Sequence, residues 1–102
     1  MLLTTEAVLT ETLQLLGRTC GGQEACLGFF IRGAATLVPS SRSSLVRCRE
    51  IMARYADLPA DFADAALIAL SEEVRTRTVF TLDRRGFSTY RDREGNRFDI
   101  RP

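Results

Sequence analysis

The sequence predicts an α/β domain, and three observations carry that prediction. Short β-rich runs alternate with pairs of helical segments, in the order strand, helix, helix, strand, helix, helix, strand and a C-terminal strand or hairpin. A length of 102 residues with 45% hydrophobic content suits a single compact domain spanning residues 1–102. The stretch 60–87, ADFADAALIALSEEVRTRTVFTLDRRGF, reads as a helix, a link and a strand, with acids at the start of the helix and at the end of the strand.

Taken in order, Leu2-Leu3-Thr4 reads as the end of a strand. By Thr5 a helix has begun, carried by Val8, Leu9, Leu13, Leu15 and Leu16 and stopped near Gly17. At 100° per residue these side chains form one broad apolar arc with Thr12 inside it, Glu11 on the rim beside Val8 and Leu15, and Glu6 on the opposite rim. Gly21-Gly22 separates this helix from a second, near Gln23 to Arg32, whose Leu27, Phe30 and Ile31 are candidates to pack on a sheet and which Gly33 ends. Thr36-Leu37-Val38 reads as a strand closed by Pro39.

Ser40 or Ser41 caps a third helix with Leu45, Val46, Cys48, Ile51, Met52 and Tyr55 as its buried stripe, and Arg42, Arg47, Arg49 and Arg54 on its exposed side. Asp57-Leu58-Pro59 is a hinge, because proline disfavours helix for the residue before it. Asp61 and Asp64 open the fourth helix, where the positive end of the dipole stabilises carboxylates, and the alanines and leucines that follow favour helical backbone. Arg75-Thr76-Arg77 breaks the pattern, and Thr78 to Leu82 is a strand with Asp83 directly after its last apolar residue. Gly95-Asn96 marks a turn between Thr89-Tyr90-Arg91 and Arg97 to Ile100, whose alternating charges suit a solvent-facing edge.

Composition narrows the function classes. A formal charge of +1 predicts no strong general attraction to nucleic acid, and although all fourteen basic residues are arginine, base composition of the gene explains that as well as a phosphate-binding face does. Three cysteines, Cys20, Cys26 and Cys48, with no histidine to join them, argue against a zinc site or a disulfide framework and suit a reducing cytoplasm. The absence of histidine also removes serine–histidine and cysteine–histidine catalysis. No apolar run approaches the roughly 20 residues that cross a membrane.

If the strand at 78–82 lies beside the start of the fourth helix, Asp64 and Asp83 face one another, two acids that repel unless a cation or a proton sits between them. Taken singly, Asp64 is a helix-start residue, Asp83 a turn residue, and Glu6 and Glu11 are solvated flank charges.

Three pieces, LLTTEAVLTETLQLL, MARYADLPADFADAALIAL and VFTLDRRGFSTYR, together with the order of elements, resemble the PIN domain and, within it, the VapC-like ribonuclease toxins of prokaryotic toxin–antitoxin pairs. The middle and last pieces are the specific ones. The resemblance implies a PIN-like three-layer α/β fold with a mainly parallel sheet, and magnesium- or manganese-dependent cleavage of RNA phosphodiesters in the cytoplasm. Its implied partners are an RNA substrate, a cognate antitoxin and a second copy in a homodimer, with no membrane.

Carried onto this sequence, the resemblance makes Glu11, Asp64 and Asp83 the metal-binding and catalytic acids, expected to converge at one end of the sheet. Asp61, one turn before Asp64, reads as a secondary ligand or as a helix-start charge, the second being preferred. Thr81, two residues before Asp83, points to the same side of an extended strand and is expected to hydrogen-bond near the metal. Hard divalent ions suit such a site, since they take few protein oxygens and complete an octahedral shell with water and phosphate.

The family's opening strand, with an aspartate in a pattern like DTS or DTG, has no counterpart before LLTTE, and Gly86 stands where relatives often carry histidine. The expectation is therefore an N-terminally truncated, partial PIN-like domain with impaired catalysis. Two functions remain in view: a metal-dependent endoribonuclease toxin, or a non-catalytic remnant that serves as an antitoxin-binding or dimerisation module.

Overall fold

A helix that is apolar on every side has no face to offer water, so it must be surrounded. The run FADAALIALSEE is of that kind from Ala63 to Ser71, and the core of the described residues forms around it. In the computed structural model, residues 2–57, 61–76, 78–80 and 89–101 are described. Their elements are β1 (Leu3–Thr4), α1 (Glu6–Leu15), α2 (Gly22–Ile31), β2 (Thr36–Leu37), α3 (Arg42–Arg54), α4 (Phe62–Glu73), β3 (Thr78–Phe80) and β4 (Asp99–Arg101). A short 3₁₀ turn, Leu16–Arg18, carries α1 toward α2. Residues Ala63 to Ser71 of α4 are all buried. They meet Val8 of α1, Cys48 and Ile51 of α3, Val79 of β3, and Tyr90 and Phe98 of the C-terminal segment in one core.

The helix starts follow the capping chemistry in the sequence. Thr5 accepts the Val8 amide on Oγ1 at 3.2 Å. Ser41 and Ser44 form a reciprocal capping box on α3, and Asp61 and Asp64 form one on α4. Gly33 follows α2 at φ 81°, the left-handed conformation that ends helices and suits glycine. After α4 the same position is filled by Arg75 at φ 57°. The Thr76 amide there reaches back to the Ser71 carbonyl at 2.9 Å and the Arg75 amide to Glu72 at 3.3 Å, the paired bonds of a Schellman turn.

Among the described residues both strand ladders are parallel. β1 lies against β2 with Leu3 opposite Thr36, and β3 against β4 with Thr78 opposite Asp99. Four helices with short parallel strands are compatible with a PIN-like fold. The single mainly parallel sheet expected from the sequence is not what the described residues form: they make two separate two-stranded ladders. β1 and β3 are neighbours without a ladder between them. The carbonyls of Thr4 and of Leu2, just before β1, accept the Val38 and Thr36 amides on the β2 side. Between β1 and β3 lies a cleft of about 170 Å³, lined by Leu2, Leu3, Leu67, Leu70, Val74 and Val79 among others.

The C-terminal hairpin is realised only in part. Asp92 and Asn96 close a tight turn, with Gly95 at φ 85° inside it, and Arg91 and Arg97 form an antiparallel bridge. The chain then leaves Arg91 and runs parallel to β3, because Val79 and Ile100 offer an apolar pairing on the core side.

Helical periodicity overestimates burial at several positions. Leu15 on α1 is 60% exposed and Ile31 on α2 83% exposed, and Leu27, Leu45, Val46 and Met52 are exposed as well. Periodicity identifies an apolar face, but covering that face takes a neighbour, and α4 can receive only one side of each surrounding helix. Conversely, Arg47 is not on an open face. Its guanidinium grips Glu72 of α4 with Nε to Oε1 at 2.7 Å and Nη2 to Oε2 at 2.9 Å. Both side chains are largely enclosed, at 17% and 13% exposure, and the bond to Glu72 raises the Arg47 pKa above its ordinary value.

Two substitutions test these joints. Arg47→Met should lower stability by about 2 kcal/mol in a urea melt, since it strips a charge-assisted fork from an enclosed carboxylate. Arg75→Gly should raise stability by about 1 kcal/mol, or a few degrees in melting temperature, by relieving the left-handed backbone. Unchanged melting in both variants would show that neither joint bears on the fold.

Candidate metal centre

The acid-rich start of α4 is built by its own sequence. In D-F-A-D the first aspartate precedes the helix and the second occupies its third position, so each side chain reaches the other's backbone amide. The Asp64 amide donates to Asp61 Oδ1 at 3.0 Å, and the Asp61 amide donates to Asp64 Oδ2 at 3.4 Å. This reciprocal bonding holds both carboxylates over the first turn, where the helix dipole favours negative charge. Packing of α1 against α4 brings a third acid to the same place. Glu11, half-buried on the rim of α1, joins Asp61 and Asp64 with carboxylate oxygens of all three within 4.8 Å of one another.

Burial distinguishes the three. Asp61 is exposed, Glu11 intermediate, and Asp64 only 4% exposed. A carboxylate removed from water in that way needs donors. Besides the Asp61 amide, Asp64 Oδ2 accepts the phenol of Tyr90 at 3.2 Å. Tyr90 stands 26 residues further along the chain and is itself 2% exposed.

Glu11 and Asp64, two of the three acids singled out in the sequence, are thus brought together, and Asp61 joins them while also capping the helix. Asp83 and Thr81 lie outside the described residues. Glu6 is exposed in the first turn of α1 and is not in the group. In the sequence Tyr90 is distinguished only by its place in a tail strand. Its signal was a tyrosine among charged neighbours next to a turn, which is common in edge strands that bind nothing.

Three carboxylates so close repel one another, and the donor set is hard oxygen throughout. Magnesium and manganese fit such a set: they need only a few protein oxygens and take the remaining positions from water or phosphate. No cysteine belongs to the group: Cys20 is exposed, Cys26 half-buried, and Cys48 lies in the core, where burial pushes its thiol pKa up and keeps it protonated. Another cleft, of about 680 Å³, sits at the opposite end of α4. There Arg47, Arg75 and Arg93 alternate with Glu72, Glu73 and Glu94, so no one sign of charge converges on a ligand.

Over 70 residues the chain is 39% identical to Ribonuclease VapC26 of Mycobacterium tuberculosis. The match takes in 69% of this chain and 52% of that protein, so the chain spans about half the length of the curated relative it matches. The likeness supports a VapC- and PIN-like character at the family level. No family model matches the chain. Among the described residues, no helix is long and apolar enough to cross a membrane.

If the acids act as a group, Asp64→Ala should weaken binding of Mn²⁺ by roughly 10-fold or more, while Glu6→Ala leaves it unchanged, in a titration that follows the free ion by paramagnetic resonance. Equal effects of the two substitutions would return the acids to separate roles as helix-start and surface charges.

Proposed function

We propose that this chain is a VapC-type ribonuclease chain whose Glu11, Asp61 and Asp64, together with Asp83, hold a divalent magnesium or manganese ion for hydrolysis of RNA phosphodiester bonds. The observation that carries the reading is the convergence of three carboxylates within 4.8 Å in a chain 39% identical to a named ribonuclease. A bound ion of this kind would polarise the scissile phosphate and acidify a water for in-line attack. The protein's own part is positional. Asp64, enclosed and hydrogen-bonded, supplies a fixed ligand direction, and Glu11 reaches in from a second helix on a longer side chain. Asp61 contributes at the water-facing side, where its exposure leaves room for a polyanion to approach.

The same reading gives the chain an RNA substrate, a cognate antitoxin that restrains it, a homodimeric state and a cytoplasmic setting. A second reading, a non-catalytic interaction module, draws on the apolar side chains left exposed on α2 and α3, with Leu27, Ile31, Leu45, Val46 and Met52 uncovered. Such faces suit docking to another protein.

An RNA-cleavage assay separates the two. With Mn²⁺ or Mg²⁺ the protein should cut a mixed RNA substrate, chelator should stop it, and Asp64→Asn should slow it by about 100-fold. Cleavage that survives both chelator and Asp64→Asn would overturn the metal reading. Absence of cleavage in a protein that binds a purified antitoxin would favour the interaction module.

A further inference from the structure

Tyr90 is among the largest fully buried side chains among the described residues, and its one polar atom is directed at an acid. A tyrosine that serves only to fill a core is commonly satisfied by a backbone carbonyl. This one donates instead to Asp64 Oδ2 at 3.2 Å, on the helix turn where the three carboxylates meet. We propose that Tyr90 is a positioning residue for the metal centre: its phenol fixes the rotation of the Asp64 carboxylate so that the group is presented to the ion in one orientation. The inference rests on the metal reading given above and deepens it.

The physical case has two parts. The terminal torsion of an aspartate is broad, so a carboxylate held only from one side can swing over a wide range. In the Asp61–Asp64 capping box the Asp61 amide reaches Asp64 Oδ2 at 3.4 Å, a long bond that restrains the swing weakly. The phenol adds a second donor to the same oxygen from the far side of the core. Both bonds end on Oδ2, so together they fix the position of that oxygen and restrict the rotation of the carboxylate.

The second part is that Tyr90 is itself held. Its ring stands 5.0 Å from the ring of Tyr55 on the α3 end, at a 60° tilt. The Tyr55 hydroxyl accepts the Arg91 amide at 3.0 Å. The Arg91 guanidinium in turn donates from Nη1 to the Thr89 carbonyl at 3.0 Å and to the Tyr90 carbonyl at 2.8 Å. The backbone around Tyr90 is therefore fastened and its ring rests on Tyr55, all through contacts that do not involve the acids. This is the arrangement by which outer groups orient metal ligands, at a typical cost of 10–100-fold in metal affinity when they are removed.

The chain has two tyrosines and no tryptophan, which supplies a direct reporter. In Tyr55→Phe, Tyr90 becomes the sole tyrosine, and addition of Mg²⁺ should shift its near-ultraviolet absorbance and emission as the charge on its acceptor is shared with the ion. In Tyr90→Phe, Mn²⁺ affinity should fall by about 10–100-fold while the cooperative melt is retained. RNA cleavage by that variant should recover at high Mn²⁺, so that the metal requirement rises and the saturated rate stays within a few-fold of the wild type. Glu6→Ala, exposed on α1 and outside the acid group, should leave Mn²⁺ affinity within about 3-fold of the wild type, less than the usual outer-group effect.

Unchanged Mn²⁺ affinity in Tyr90→Phe, or an equal loss in Glu6→Ala, overturns the inference and leaves the metal reading standing. A wild-type protein that binds no Mn²⁺ overturns both. If Tyr90→Phe does not fold, the Tyr90 spectrum in Tyr55→Phe decides: no response to Mg²⁺ in a protein that binds Mn²⁺ overturns the inference.

Discussion

Everything described here depends on the enclosure of α4. Burying Ala63 to Ser71 without interruption requires neighbours on every side, and α1, α3, β3 and the C-terminal segment supply them. The small side chains Ala63, Ala65, Ala66 and Ala69 let those neighbours approach closely, so dispersion and apolar burial accumulate along the whole length of the helix. The same enclosure creates the chemical difficulty of the fold. An aspartate in the first turn of such a helix is dragged out of water with it, and Asp64 has to be satisfied by a neighbouring amide and a distant phenol. The acid group is therefore a product of the core and not an addition to its surface.

Much of the order of elements was legible because it rests on local rules. Thr5, Ser41 and Asp61 begin helices for the reason their side chains suggest, and Gly33 and Gly95 take the positive φ values that turns need. Meeting of Glu11 with Asp64 was expected from resemblance, and packing of α1 on α4 supplies its mechanism. The capping pair Asp61 and Asp64 was visible as a pattern, yet capping alone does not say that a third acid will arrive.

What escaped the sequence lies in long-range pairing. Arg47 looked like one more arginine on a solvated face, and its partner Glu72 is 25 residues away on another helix. Leu27, Ile31, Leu45 and Val46 looked like core because periodicity cannot tell a covered face from an uncovered one. The last strand had good turn chemistry at Gly95, but its ladder partner was decided by where β3 lay in space. Tyr90 is the extreme case: its environment is made of α3, α4 and the tail together, and no window of sequence contains all three.

The three carboxylates come from two bodies: Asp61 and Asp64 belong to the start of α4, and Glu11 belongs to α1. Their mutual repulsion works against the seating of α1 on α4, while the buried Val8 and Thr12 of α1 work for it. By linkage, any cation bridging the two groups adds its binding free energy to that seating. The α3–α4 pair, clasped by Arg47 and Glu72 at the opposite end, has no such dependence. The contact between the amino-terminal helix and the central one is therefore a place where the ionic surroundings act directly on how tightly the core is closed.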